Sequence, residues 1–468
     1  MKIDAQNNTP LGDGGIPVIA VFDIGKTNKK LFLLNEQYEI VFENAVSLQE
    51  TVDEDGEPCE NIVALTDWIL SSVKEVLQNS NYDIKAFNFS TYGASFVYID
   101  KEGKPLTPLY NYLKKYPEVL HQQFYDAYGG EEKISVETAS PVLESLNSGL
   151  QVYRLKHQHP DVFDKVAFAF HLPQYISYLI SKYPATDITS IGCHTSLWDY
   201  QKNNYHHWVI KEKLDEKFAP LVPSSTSTTS IIADKQINVG IGLHDSSSAL
   251  IPYLIYFAEP FILISTGTWC ISLNPFNDAP LTKDELVNDC LCYMSYRKKP
   301  VKAARLFAGY EHEQTIKKLA EHFNKPLDYF TQVAFNKTFV DVAAIQAAPK
   351  NIPVGVHPSA FATRDLNSFK SYEEAYHCII ADIILQQKVS TSLILNDSIT
   401  KIFVDGGFGK NKIYMTLLAT AFPALQVFAA SLPQSSARGA ALVMHESWNK
   451  NALPTDFIAL KISLPLSL

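Results

Sequence analysis

The residues whose types and spacing could do chemistry fall in five short clusters. The first is Asp23-Ile24-Gly25-Lys26-Thr27-Asn28-Lys29-Lys30. A turn of glycine and small polar residues can aim backbone N–H groups at a phosphate. A carboxylate at the end of the preceding strand can hold Mg2+ through water, and Lys29 or Lys30 can add positive charge. The same residues also suit a plain hairpin with a soluble turn. The second cluster is Gly242-Leu243-His244-Asp245-Ser246-Ser247-Ser248-Ala249. Asp245 suits a general base at a strand end in a cleft, and it equally suits a helix N-cap; one side chain can do both. His244 by itself reads as structural. The third cluster, Ser265-Thr266-Gly267-Thr268-Trp269, has the form of another hairpin turn. In the fourth, Asp405-Gly406-Gly407-Phe408-Gly409-Lys410-Asn411, paired glycines let backbone approach a flat ring or a ribose. Its spacing is not that of a dinucleotide fingerprint. The fifth, Ala437-Arg438-Gly439-Ala440-Ala441, permits a close helix approach and also suits simple packing.

The elements that must position these clusters can be read from hydrophobic pattern. Val18 to Phe22 is a short apolar run ended by Asp23, and Leu31 to Leu34 completes a hairpin. A third strand is expected to include residues 40–42. Residues 61–78 carry helical periodicity through Ile62, Leu65, Ile69, Val73 and Val76. Residues 86–89 read as a buried strand, 141–215 mainly as helices with loops, and the Ser/Thr run 224–230 as a surface loop. A strand over 237–241 leads into the second cluster. Then the opening pattern recurs: an apolar strand over 261–264, a polar Gly turn, and a strand over 269–273. Helices over 311–323 and 371–394, a strand over 402–404 and a helix near 436–448 complete the chain. A hairpin used twice, once at the start of each half, predicts two similar α/β domains facing each other, over residues 16–246 and 247–468.

Bulk composition bounds the answer. The chain has 468 residues, 46% of them hydrophobic and 19% charged, enough for a core in each half. A formal net charge of -10 argues against non-specific binding of nucleic acid or anionic lipid. The six cysteines form no CxxC and suggest free thiols in a reducing compartment. Residues 1–15 hold no apolar core for a signal peptide, and the longest apolar stretch, 251–265, is broken by Pro252, Glu259 and Pro260. These features predict a cytoplasmic protein without a membrane span. His157-x-His159 and His206-His207 lack partners at metal spacing and read as solvated; Cys290-x-Cys292 reads as core.

Taken in order, the clusters resemble the FGGY carbohydrate kinases, of the actin-like (ribonuclease H-like) ATPase superfamily, from about residue 17 to 448. The resemblance implies that Asp23, Gly25, Thr27, Asn28 and Lys30 meet phosphate and Mg2+, with Asp23 as the metal-side carboxylate. It implies Asp245, three after Gly242, as the catalytic base, Gly267 and Thr268 as a second phosphate turn, and Gly406, Gly407 and Asn411 as the lining of the adenosine site. The segment His171-Leu172-Pro173-Gln174-Tyr175-Ile176 looks like a helix start of that family.

There are departures. Lys26 stands where a small residue is usual, and Lys30 where Arg is commoner. Tyr110-Asn111-Tyr112-Leu113-Lys114 lacks the Asp of the family's sugar-side stretch. Within the family, His244-Asp245-Ser246 and Thr266-Gly267-Thr268-Trp269 look most like rhamnulose and fuculose kinases. Thr91-Tyr92-Gly93-Ala94-Ser95-Phe96 resembles the strand by which those enzymes meet their sugar, although Ser95 replaces a frequent Asp. The implied sugar-side residues are Gly93, Ala94, Ser95, His171 and Asp245.

The expected fold is therefore α/β, with two ribonuclease H-like domains and an interdomain cleft. The expected reaction is ATP- and Mg2+-dependent phosphorylation of a sugar hydroxyl, at C1 of a 6-deoxy-ketohexose such as L-rhamnulose or L-fuculose. A pentulose kinase and a non-catalytic actin-like nucleotide-binding protein or sugar sensor are the alternatives. The expected partner is a small-molecule sugar, with no nucleic acid and no membrane; a homodimer stays open.

Overall fold

A computed structural model describes residues 15–347 and 352–466. The first sheet begins with β1 (Ile16–Ile24), β2 (Lys29–Asn35) and β3 (Ile40–Val46), continues with β4 (Tyr82–Thr91), and ends with β5 (Ser227–Ile232), β6 (Lys235–Gly240) and the short β7 (Leu243–His244). Its order is β5-β6-β4-β1-β2-β3, with β7 paired to β4. The second sheet holds β8 (Phe261–Thr266), β9 (Cys270–Asn274), β10 (Cys290–Met294), β11 (Pro300–Leu306), β12 (Lys401–Gly406), β13 (Gln426–Ser431) and β14 (Ala459–Ser463). Its order is β10-β11-β9-β8-β12-β13-β14.

The duplication expected from the two hairpins is present in the pairing. β1 is antiparallel to β2 and parallel to β4, which is parallel to β6. β8 repeats this: antiparallel to β9, parallel to β12, which is parallel to β13.

Strands covered on both faces must be apolar at successive positions, and alternate side chains must find different cores. In β1, Val18, Ala20 and Phe22 pack with α1 (Ile62–Gln78) through Leu65 and Ile69. Ile19 and Val21 point the other way, toward Ile251 of α3 (Asp245–Tyr256) and Ala437 and Ala440 of α7 (Ser435–Leu442). The second sheet mirrors this. Ile262 and Ile264 pack on α5 (Tyr372–Ile394), while Phe261 and Leu263 pack on Leu250, Tyr253 and Leu254 of α3. Helix α3 thus lies between the sheets, with Ile251 facing one and Tyr253 the other. Helix α7 closes on α3 at Gly439, where a Cβ would come within 1.8 Å of the Ser248 carbonyl. The small-residue run 437–441 is therefore a close-packing device. The remaining helices used below are α2 (Leu172–Ser181), α4 (Ala308–His322) and α6 (Lys412–Ala421).

Several expectations are corrected. Part of the Ser/Thr run 224–230 is not loop but edge strand β5, antiparallel to β6. Its threonines and isoleucines suit a strand, and Ala233 and Asp234, both at positive φ, make the tight turn. The helix expected near 436–448 is two, Ser435–Leu442 and His445–Trp448. The mainly helical region 141–215 also contains a strand, Phe168–His171, paired with Phe96–Ile99. The expectation of free thiols holds: all six cysteines are unpaired. Among the described residues no helix is long and apolar enough to cross a membrane.

Candidate active site between the two sheets

Three carboxylates meet where the strand ends of the two sheets face α3 and α7. Asp23, the next-to-last residue of β1, lies opposite Ser90 of β4. β7 pairs with β4 at Ser90 and Thr91, so the chain leaves the sheet at the same level and places Asp245 as the first residue of α3. The turn before it requires Gly242: φ is +82°, and a Cβ would lie 2.6 Å from the Pro173 carbonyl. Asp405, near the end of β12, is in register with Ser265. Asp245, Asp405, Ser246, Ser265, Ser435 and Ser436 line a cavity of about 200 Å3.

The electrostatics follow from this crowding. Burial pushes the Asp23 carboxyl up to about 6; the Ser436 hydroxyl, donating at 2.8 Å, opposes the rise, the neighbouring Asp245 adds to it, and Lys30 opposes it. Burial also raises Asp405, whose carboxylate accepts the Gly406 N–H at 2.7 Å and the Tyr253 hydroxyl at 3.2 Å. The Asp245 side chain is 34% exposed. Its contacts with Ser246 N (2.6 Å) and His244 Nε2 (3.4 Å) both fall on Oδ1, which leaves Oδ2 as a free acceptor among the described residues. The alternative N-cap role is not taken: the cap position belongs to His244, and no side-chain cap bond is made.

The first turn is held by Gly25 N–H donating to Asn28 O at 2.9 Å, with Thr27 and Asn28 exposed. The lysines divide. Lys26 pairs with Glu50 and Lys30 with Glu43, both near the surface, whereas Lys29 is buried against Glu60 at 2.9 Å and donates to Lys26 O. Lys29 is thus a support of the turn, and Lys30 is the lysine that faces Asp23.

The second turn carries exposed Gly267 and Thr268. It is pressed against α4, where a Cβ on Gly309 would come within 1.8 Å of Gly267 O. Thr266 links this turn to the paired glycines. Its hydroxyl donates to Asp405 O at 2.6 Å and accepts Phe408 N–H at 3.0 Å, and its carbonyl accepts Gly407 N–H at 3.1 Å. Gly406, at φ +89°, has no room for a Cβ against Thr266 O, while Gly407 faces open space.

Beside these glycines is a cavity of about 720 Å3, lined by Gly267, His312, Phe330, Gly407, Phe408 and Asn411, among others. Asn411 itself is the cap of α6: its Oδ1 accepts Ile413 and Tyr414 N–H, and its Nδ2 donates to the Tyr376 hydroxyl. Its polar atoms are spent within the fold.

On the sugar side the expected residues separate. Gly93 packs against His244, the residue before Asp245: a Cβ there would lie 2.8 Å from the His244 ring. Ala94, at φ 64°, offers its carbonyl to Gln151 Nε2. Ser95 is buried and donates to Tyr110 O at 3.3 Å. His171 is buried beside Phe96, 3.0 Å from the Ser148 hydroxyl, and burial, then the nearby His244, lowers its pKa to about 3. Half-buried Tyr112 packs near Tyr92, with ring centres 5.7 Å apart, and feels the Asp245 charge.

Sequence reasoning missed Asp405 and Ser436 as cavity residues, and His312 and Phe330 as walls. Asp405 carried the same signal as Asp23, a carboxylate ending an apolar strand before glycine. Phe330 and His312 carried none. Nor is His206 solvated: it is buried, takes the Trp208 N–H on Nδ1 and bonds Glu137 through Nε2 at 2.8 Å. Glu137, His206 and His207 do cluster, but this tautomer turns an N–H, not a lone pair, toward any metal.

Residues 18–251 match the N-terminal domain of the FGGY family of carbohydrate kinases, and residues 258–452 match "Carbohydrate kinase FGGY, C-terminal domain". A rhamnulokinase of Halalkalibacterium halodurans is 24% identical over 264 residues, which are 53% of this chain and 52% of that protein. One of Oceanobacillus iheyensis is 21% identical over 229 residues, 46% of each. The chain thus spans about half the length of the curated relatives it matches. Among solved structures, a carbohydrate kinase from Novosphingobium aromaticivorans is similar in fold, with a TM-score of 0.77, 21% identity, and 98% of this chain and 95% of that one covered. A ligand-bound xylulose kinase from Lactobacillus acidophilus gives 0.75 at 14% identity, covering 96% and 94%. With both domain matches in chain order, this chain belongs to the FGGY family of carbohydrate kinases.

Proposed function

We propose that this chain transfers the γ-phosphoryl group of ATP to a hydroxyl of a sugar, with residues 16–246 forming the sugar side and 247–468 the nucleotide side. The observation that carries the reading is the single cavity shared by Asp245 and Asp405, with Asp23 hydrogen-bonded to Ser436 on its wall. The Oδ2 atom of Asp245 takes the hydroxyl proton as the oxygen attacks. The Gly25 and Gly267 N–H groups close the two turns on Asn28 O and Trp269 O, and the backbone N–H groups of the exposed Thr27 and Thr268 at the turn tips meet the charge of the transferring group. Gly407 leaves room for the nucleoside against His312 and Phe330. Asp405 on the cavity and Asp23, hydrogen-bonded to Ser436 of its wall, are hard oxygen donors that fit Mg2+, which would neutralise charge on the phosphates. A cytoplasmic location suits the free thiols and the supply of ATP.

For the sugar, we favour C1 of a 6-deoxy-ketohexose of the rhamnulose or fuculose type. By the resemblance, Asn111 and Tyr112 stand where many relatives offer a sugar-binding Asp, and the Tyr112 ring with that of Tyr92 gives the Asp245 corner an apolar wall suited to a methyl group. Burying one methyl contributes only about 0.8 kcal/mol, so unpaired polar groups must supply most of the discrimination. The test is sugar-dependent ADP release with L-rhamnulose, L-fuculose, D-xylulose and L-ribulose under one set of conditions. A 6-deoxy-ketohexose should give the highest kcat/KM. A pentulose ahead by a clear margin overturns the substrate, and ADP release that no sugar stimulates overturns the kinase.

A further inference from the structure

His194 is 8% exposed, yet its ring makes no hydrogen bond among the described residues, and its Nδ1 is fully buried without a partner. A buried polar atom left unpaired is unfavourable, and a ligand hydroxyl arriving beside it is one way to satisfy it. The ring sits at the corner already described. It stands edge-on to His244 (6.4 Å, 69°) and to Tyr293 (6.0 Å, 86°). Tyr293, from β10 of the second sheet, stacks on His244 at 5.5 Å and 25°. The two sheets therefore both contribute to this wall.

The loop carrying His194 is fastened to the same corner. Thr189 Oγ1 accepts the His244 N–H at 3.0 Å, Asn147 Nδ2 donates to the His194 carbonyl at 2.8 Å, and Cys193 Sγ lies 3.5 Å from where a Gly93 Cβ would be. Among the described residues His244 Nδ1 also lacks a partner, as does Gln174 Oε1, whose amide nitrogen bonds the Gly242 carbonyl. Burial holds both His194 and His244 in their neutral forms. A neutral imidazole offers one donor and one acceptor beside an apolar ring face, the pattern that a hydroxyl and its C–H bonds match. Arg305, the cation that bears on His194, is tied to Asp289.

We infer that His194 is a sugar-binding residue that holds a hydroxyl of an uncharged ketose or polyol through a ring nitrogen, and that the wall it forms with His244 and Tyr293 disfavours sugar acids. The inference rests on the kinase reading above.

The experiment compares wild type, His194→Phe and His194→Asn in steady-state kinetics against the best sugar of the panel, with D-gluconate as a sugar acid. His194→Phe keeps the ring and removes both nitrogens; it should raise the sugar KM by about tenfold or more and leave the ATP KM within about twofold. His194→Asn restores an amide near Nδ1 and should recover part of the loss. Wild type should use the uncharged sugar at least about 100-fold better than gluconate. Unchanged sugar KM in His194→Phe, or an equal rise in both KM values, overturns the inference while the kinase reading stands. So does gluconate turnover within tenfold of the ketose, which needs no variant and decides the matter if His194→Phe does not fold. A wild type that phosphorylates no ketose or polyol overturns the kinase reading and this inference with it.

Discussion

Ser436 Oγ donates a 2.8 Å hydrogen bond to Asp23 Oδ2 across 413 residues of chain. The bond joins the end of the first strand to the start of α7, so the carboxylate proposed for the metal side is oriented from both halves of the sequence. Asp23→Ala removes an oxygen donor and leaves the turn backbone in place. It should raise the Mg2+ concentration needed for half-maximal rate by about tenfold or more. A Mg2+ titration that superimposes on wild type makes Asp23 a turn residue only.

Asp245→Asn tests the base. The amide keeps the size and the Ser246 contact but accepts no proton at Oδ2. The expected loss in kcat is at least about 100-fold, with ATP affinity and thermal midpoint unchanged. Near-normal turnover removes Asp245 from the mechanism.

The two glycines at the end of β12 and just past it, Gly406 and Gly407, should behave differently, because one is constrained by backbone and the other by the cavity. A Cβ at Gly406 would lie 1.9 Å from Thr266 O, whereas at Gly407 it meets nothing within 4 Å. Gly406→Ala should therefore destabilise the protein, by a few kcal/mol on the scale of a left-handed position forced onto alanine plus a clash. Gly407→Val should fold normally and raise the ATP KM far more than the sugar KM. Urea denaturation and steady-state kinetics on both variants separate the roles; equal kinetic effects on both substrates in Gly407→Val would point to general damage.

What the sequence disclosed and what it withheld have physical reasons. The strands at 16–24 and 261–266 were legible because each is a short apolar run closed by polar residues and glycine, a local signal. The duplication was legible for the same reason, and the family resemblance supplied roles for Asp245 and the turns. Ser436 was not legible: it sits in a run of small residues whose partner, Asp23, is fixed only by tertiary packing of α7 on β1. His194 was hidden for a similar reason, since its orphaned nitrogen exists only once Tyr293 and His244 close around it. The resemblance implies Asn411 at the nucleoside, and it does line the cavity beside the paired glycines, while its place at the start of α6 also makes it a helix cap that uses its polar atoms. Edge strand β5 carries no clear sequence signal, because serine and threonine suit both loop and strand.

Lys29 and Glu60 form an ion pair with side chains 2% and 3% exposed, directly beneath the first turn. Removing one member leaves the other charge buried and alone, which costs about 3–5 kcal/mol, whereas replacing both can be nearly neutral. Lys29→Met should lower stability by that amount in urea denaturation, and Lys29→Met with Glu60→Gln should recover most of it. If the double variant is no more stable than the single one, the pair does not act as a unit.

Acid stability should report the neutral histidines. His171 has a folded-state pKa of about 3 against an ordinary value near 6.5, because burial disfavours its charged form. The unfolded chain therefore binds a proton here that the folded chain refuses. The stability from His171 is complete above about pH 6.5 and is lost as pH falls toward 3. Each pH unit below 6.5 removes up to about 1.4 kcal/mol, so the loss by pH 5 is about 2 kcal/mol. Buried Asp187 acts with the opposite sign. Its pKa is raised to about 6 by burial, against the hydrogen bonds from Ser224 and Thr189, so protonation stabilises the fold as pH falls through that value. The two groups partly cancel in the wild-type curve, and the difference between variants is the cleaner readout. His171→Gln removes one titration and should flatten the fall in stability between pH 7 and pH 5 by about 2 kcal/mol, whatever its effect at pH 7. Asp187→Asn should steepen the same fall. Parallel curves for wild type and His171→Gln would mean that His171 is protonated as readily in the folded protein as in the unfolded chain.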